Sequence, residues 1–119
     1  MLKKTIKYTD YNGEEKEQDF YFHLNKAELL EMELSAEGGL EATIKKLMDE
    51  KNGEKIVAMF KDLILKSYGE KTVDGRFAKS PELSKRFTET AAYPELFTEL
   101  ATDAEAASAF VNGIIPQQA

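Results

Sequence analysis

Leu2-Lys3-Lys4-Thr5-Ile6-Lys7-Tyr8 and Gln18-Asp19-Phe20-Tyr21-Phe22-His23-Leu24 flank the turn-forming stretch Asp10-Tyr11-Asn12-Gly13, and the parity of their apolar residues decides how the fold begins. Leu2, Ile6 and Tyr8 all occupy even positions, as do Phe20, Phe22 and Leu24, while Asp19 and His23 are odd. Period-two alternation on both sides of a turn signal predicts a β-hairpin over residues 1–24. A two-residue Asn-Gly turn would pair even with odd positions and set Ile6 opposite Asp19. A three-residue loop pairs even with even and keeps one apolar face. Asp10 at the first turn position and Gly13 at the fourth suit a type I turn closed by a bulge glycine, so the odd-length loop is favoured. A two-stranded ribbon is marginal alone. The even face is therefore expected to pack on helices, and the free edge is open to pairing with a second copy or a partner.

Beyond Leu24 the period changes. Asn25 and Glu28 form a capping-box signature for a helix carrying Leu29, Leu30, Met32 and Leu34, which Gly38-Gly39 ends. A second helix is expected through Leu40, Ile44, Leu47 and Met48, up to Asn52-Gly53. A third, from Glu54 to Tyr68, confines its charges to an arc of roughly 140° and is expected to be central. Gly69 to Lys79 is read as a polar connection with a tight turn at Asp74-Gly75. Ser80-Pro81 starts the next helix, with a capping hydroxyl followed by proline at the first helical position. Tyr93 precedes Pro94, which disfavours helical geometry and predicts a break there, followed by a short helix through Leu96, Phe97 and Leu100. Thr102-Asp103-Ala104-Glu105 is read as a capping box for the last helix. Asn112-Gly113 is expected to close it, leaving residues 113–119 as a tail. The predicted class is α+β: one mainly helical domain over 1–119, with the hairpin at 1–24, about five short helices over 25–112, and the tail.

The 119 residues are 42% apolar, enough for one core without staples. Sixteen Lys and Arg stand against 22 Asp and Glu, a net charge of −6. That balance argues against nonspecific binding to nucleic acid or anionic membrane, where clustered positive charge supplies most of the affinity. There is no cysteine, which removes disulfides and thiolate chemistry and fits a reducing compartment. No apolar run approaches the roughly 20 residues that span a bilayer, and no signal-peptide pattern is visible. The charge is segregated: residues 87–119 hold no base and five acids, Glu89, Glu95, Glu99, Asp103 and Glu105. The segment reads either as a solvated helical face or as a docking surface for a basic or amphipathic partner.

The residues offer little for catalysis. His23 is the one histidine, on the polar face of a strand, and it reads as an ordinary surface histidine because no cysteine or second histidine completes a soft-metal site. Asp10 to Glu15 lacks the ligand spacing of a calcium loop. No phosphate-cradling glycine loop and no nucleophile elbow is present. Asp62 with Lys66, and Glu41 with Lys45, are ordinary i,i+4 pairs. No cofactor, metal or catalytic residue is expected.

The second half of the chain resembles a known family. The residues that carry the resemblance are Ser67-Tyr68-Gly69-Glu70-Lys71, Asp74-Gly75-Arg76-Phe77, Lys79-Ser80-Pro81-Glu82-Leu83 and Ala92-Tyr93-Pro94-Glu95-Leu96-Phe97. They continue from Glu99 through Ala107 to Phe110, Asn112-Gly113 and Pro116. This stretch is similar to the small tail assembly chaperones of long-tailed, siphovirus-type phages and prophages of Gram-positive bacteria. The resemblance implies a non-enzymatic protein of the bacterial cytoplasm. It would bind the aggregation-prone tape measure protein, with the tail tube protein as a second candidate partner, and be absent from the mature virion. It also implies, in many such phages, a frameshifted longer form. Two other classes stay open: a structural virion or head–tail adaptor protein, and a small cofactor-free enzyme. Partner binding is placed in the base-free segment from Pro94 to Ile115, on Glu95, Leu96, Phe97, Glu99, Leu100, Glu105, Phe110, Ile114 and Ile115. The competing account is that its apolar residues complete the domain's own core.

Overall fold

The computed structural model describes residues 1–35, 42, 45–46, 49–51 and 53–115. Two strands, β1 (Leu2–Thr9) and β2 (Glu15–Phe22), pair antiparallel with Leu2 opposite Phe22, Lys4 opposite Phe20 and Ile6 opposite Gln18. Even residues face even residues, as the turn parity requires. The Asp10 N–H donates to the Glu14 carbonyl at 2.8 Å and the Gly13 N–H to the Asp10 carbonyl at 3.0 Å, leaving a three-residue loop. The Asp10 carboxylate accepts from the Asn12 and Glu14 N–H groups, and Gly13 takes φ +84°, the left-handed value the bulge position demands. Ile6 and Phe22 are buried, whereas Thr5 and Asp19 hydrogen-bond to each other on the exposed odd face.

The helices follow as α1 (Lys26–Ser35), α2 (Gly53–Ser67), α3 (Pro81–Thr88), α4 (Ala92–Thr102) and α5 (Ala104–Ile114). The α+β class holds, with a hairpin followed by five helices among the described residues. Asn25 caps α1 as a reciprocal box: its side-chain oxygen accepts from the Glu28 N–H at 2.8 Å, and Glu28 accepts from the Asn25 N–H at 3.0 Å. Ser80 caps α3 through the Leu83 N–H at 3.1 Å, with Pro81 at the first helical position. Leu40, Ile44, Leu47 and Met48, the apolar residues of the next expected helix, lie outside the described residues, while the described positions 42, 45–46 and 49–50 are helical.

Five local expectations need correction. The expected connection over 69–79 is instead a second hairpin, β3 (Tyr68–Lys71) with β4 (Phe77–Ala78), which extends the sheet in the order β1-β2-β3-β4. Its loop repeats the first: the Thr72 N–H donates to the Arg76 carbonyl, the Gly75 N–H to the Thr72 carbonyl, and Gly75 takes φ +87°. Helix α2 accordingly stops at Ser67; Phe60, Leu63 and Ile64 in its C-terminal half are buried, and Ile56 and Met59 pack partly buried against the core. The break before α4 falls at 89–91, ahead of Tyr93, because Pro94 fits in a first helical turn, where its missing N–H forfeits no bond. The cap of α5 is Asp103, accepting from Glu105 and Ala106 N–H, while the Thr102 hydroxyl donates back to the Thr98 carbonyl. Finally, α5 runs past Gly113: Ile114 is fully buried and its carbonyl accepts from the Leu24 N–H at 2.8 Å.

The helices cover the even face. Phe22 meets Phe110, Phe87 and Tyr68 at ring-centroid distances of 5.3, 5.7 and 5.7 Å, and Tyr68 stacks on Phe87 at 4.5 Å with planes 10° apart. These rings join β2, β3, α3 and α5 in one cluster. Gly69 lets β4 approach β3, since a Cβ there would lie 2.7 Å from the Ala78 carbonyl oxygen. Because Phe22 is completely buried, Phe22→Ala is expected to cost about 3–5 kcal/mol of unfolding free energy, read from urea titration.

Candidate functional site

An open groove of about 900 Å³ lies between α2, α3 and α4. Its apolar floor comes from Leu65 on α2, Pro81 on α3 and Tyr93, Pro94 and Phe97 on α4. Local chemistry sets these positions. The Ser80-Pro81 start brings α3 in against α2, and the Ser84 hydroxyl locks the pair by donating to the Leu65 carbonyl at 2.9 Å. Tyr93 is held edge-on to Phe87 at 5.8 Å and tilted against Phe97 at 5.9 Å, so the groove wall is continuous with the core. Burial pushes the Tyr93 phenol pKa up.

Lys79 closes one end. Its ammonium donates to the Glu28 carboxylate at 2.5 Å, the His23 carbonyl at 2.7 Å and the Lys66 carbonyl at 3.1 Å. All three of its protons are used, and one side chain ties α1, the end of β2 and the end of α2 together. Burial opposes ionisation of Glu28, but the Asn25 N–H and the Lys79 ammonium outweigh it and hold its carboxyl below the ordinary range.

The residues nominated from sequence separate into two groups. Leu96, Leu100, Phe110 and Ile114 are at most 3% exposed and belong to the core, so in this conformation they present no surface to a partner. Glu95, Glu99 and Glu105 face solvent, and Glu99 also accepts from Lys4 at 2.9 Å. Ile115 is half-buried against the core, and Phe97 alone of the nine lies in the groove. The other floor residues were not nominated. They come from three separate helices, and no spacing in the sequence links Leu65 to Pro81 and Tyr93.

A family model described as phage tail assembly chaperone matches residues 1–119. The chain belongs to this family. Neither curated proteins nor solved structures yield a match.

Membership in a chaperone family suggests a non-enzymatic protein. Among the described residues, no group of three His, Asp or Glu side chains is placed to hold a metal ion. No described helix is long and apolar enough to cross a membrane. His23 is not the plain surface histidine expected from the strand alternation. It is half-buried at the end of β2, edge-on to Phe77 at 6.3 Å, and its Nδ1 is buried with no hydrogen-bond partner. β2 ends at Phe22, and the β3–β4 hairpin, which the sequence reading lacked, covers the ring.

Desolvation, with the N-terminal amine and Lys79 as lesser causes, lowers the His23 pKa below its ordinary 6.5, against an opposing pull from Glu28. A histidine depressed in the folded state contributes stability above about pH 6.5 that is lost as the pH falls through its folded value, because the unfolded chain takes the proton first. The chaperone is therefore expected to lose more stability than its His23→Gln variant on acidification from about pH 7 to about pH 5, read as the difference in urea midpoints.

Proposed function

We propose that this chain is the assembly chaperone of a long-tailed, siphovirus-type phage or prophage of a Gram-positive host, and that its principal client is the tape measure protein. The observation that carries the reading is the family match over residues 1–119. On this reading the chaperone works in the host cytoplasm, keeps the long helical client soluble while tail tube subunits polymerise around it, and leaves before the virion is complete. The tube protein is a second client at that stage. An open groove floored by apolar side chains suits a client helix, which docks by its apolar face.

The exposed carboxylates Glu95, Glu99 and Glu105 are assigned to steering. They sit in a segment that contains no base of its own, although Lys4 pairs with Glu99, and charge there raises the encounter rate with basic stretches of the client more than it raises affinity. Co-expression with the tape measure protein from the same genome tests the role: the client is expected in the soluble fraction only with the chaperone, and purified virions should lack the chaperone. Replacing Glu95, Glu99 and Glu105 by Gln should leave the fold intact, slow association and weaken its salt dependence. Unchanged kinetics at low ionic strength would assign the three acids to solubility alone.

A further inference from the structure

The groove between α2, α3 and α4 has a charge opposite to that of the protein. The chain carries −6 overall, yet among the described residues four lysines line this groove, Lys61, Lys66, Lys79 and Lys85, against a single carboxylate, Glu28. Glu28 is consumed by Lys79. Lys66 shares its charge with Asp62 at 3.1 Å, an exposed pair of small worth. Lys61 and Lys85 stand exposed with no acidic partner among the described residues. The result is an apolar floor, Leu65, Tyr93 and Phe97 among it, bordered by two unneutralised cations.

We infer that this groove is the docking site for an amphipathic helix of acidic character on a separate client chain, its apolar face on the floor and its flanking carboxylates on Lys61 and Lys85. Charge complementarity selects the occupant. A basic helix would bring like charge onto the rim, and a purely apolar one would leave both ammonium groups unpaired. The acidic segment 95–105 of a second copy fits poorly: its acids lie beside apolar residues that are buried in the core or already form the groove. The inference rests on the assembly-chaperone reading for its protein partner. It adds the surface and the chemistry of the docking segment, which differs from the basic stretches assigned to the acidic face.

Two fluorescent peptides of about 18 residues (five helical turns) test it on the full chain. Both carry leucine on one face, one with Glu and the other with Lys on the flanks. The Glu peptide is expected to bind about tenfold tighter at low salt, a preference that shrinks with added salt. Binding should shift the NMR amide signals of Ser84, Thr88 and Phe97. The double variant Lys61→Glu, Lys85→Glu, checked for folding by circular dichroism, should invert the preference. Equal binding of both peptides, binding of neither, or shifts confined to another face would overturn the proposal. A concentration-dependent oligomer abolished by the double variant would also overturn it, in favour of a second copy. Client solubility is a separate readout: peptide failure with client solubility intact defeats the groove alone, whereas loss of the solubility effect with peptide binding intact defeats the chaperone reading.

Discussion

Because Gly13 adopts a left-handed backbone that closes a three-residue loop, β1 and β2 share parity, and every large side chain that the helices bury on the ribbon comes from the same face. A slip of one residue would send Ile6, Phe20 and Phe22 to solvent and bring Thr5 and Asp19 inward. The ring cluster depends on that setting. Phe87 on α3 meets Phe20, Phe22 and Tyr68, which reach it from two different strands, and Phe110 closes Phe22 from α5. The same loop recurs at 72–76, where Gly75 plays the part of Gly13 and places Tyr68 and Phe77 at the other end of the sheet. Two glycine-closed turns thus fix which residues of the sheet face the helices.

How much of this is legible in the sequence depends on segment length. β1 and β2 are eight residues each, long enough for alternation to be visible, and Asp10 with Gly13 specifies the turn. β3 and β4 have four residues and two, with one large aromatic apiece, so no period can be read from them. The turn signal at Asp74-Gly75 was visible, but without alternation around it nothing distinguished a hairpin from a loop. The cap of α5 was misplaced by one residue, since Thr102 and Asp103 are both competent caps and tertiary packing chooses between them.

The candidate site was less legible than the fold, for a different reason. Charge segregation in residues 87–119 correctly marked a solvent-facing acidic surface, but the apolar residues interleaved with it point the other way along the same helices. Leu96 and Leu100 lie inward on α4, while Glu95 and Glu99 lie outward. A linear segment therefore mixes two surfaces that the helix separates by its 3.6-residue period. The groove assembles residues from three helices, and only packing brings them together.

The position of Lys79 couples that groove to the rest of the molecule. Among the described side chains of α1 none is fully buried, and its N-terminal end is fixed by polar contacts: the Asn25 cap and the Glu28 bond to Lys79. A half-buried ion pair contributes modestly, and far less than the apolar burial that anchors α4 and α5. Glu28 and Lys79 also line the groove. All three Lys79 protons are used, so a carboxylate placed at this end would have to compete with Glu28 or a backbone carbonyl, whereas Lys61 and Lys85 are free of that competition. On the proposed docking, occupation of the groove would reach the N-terminal turn of α1 through one side chain, Lys79.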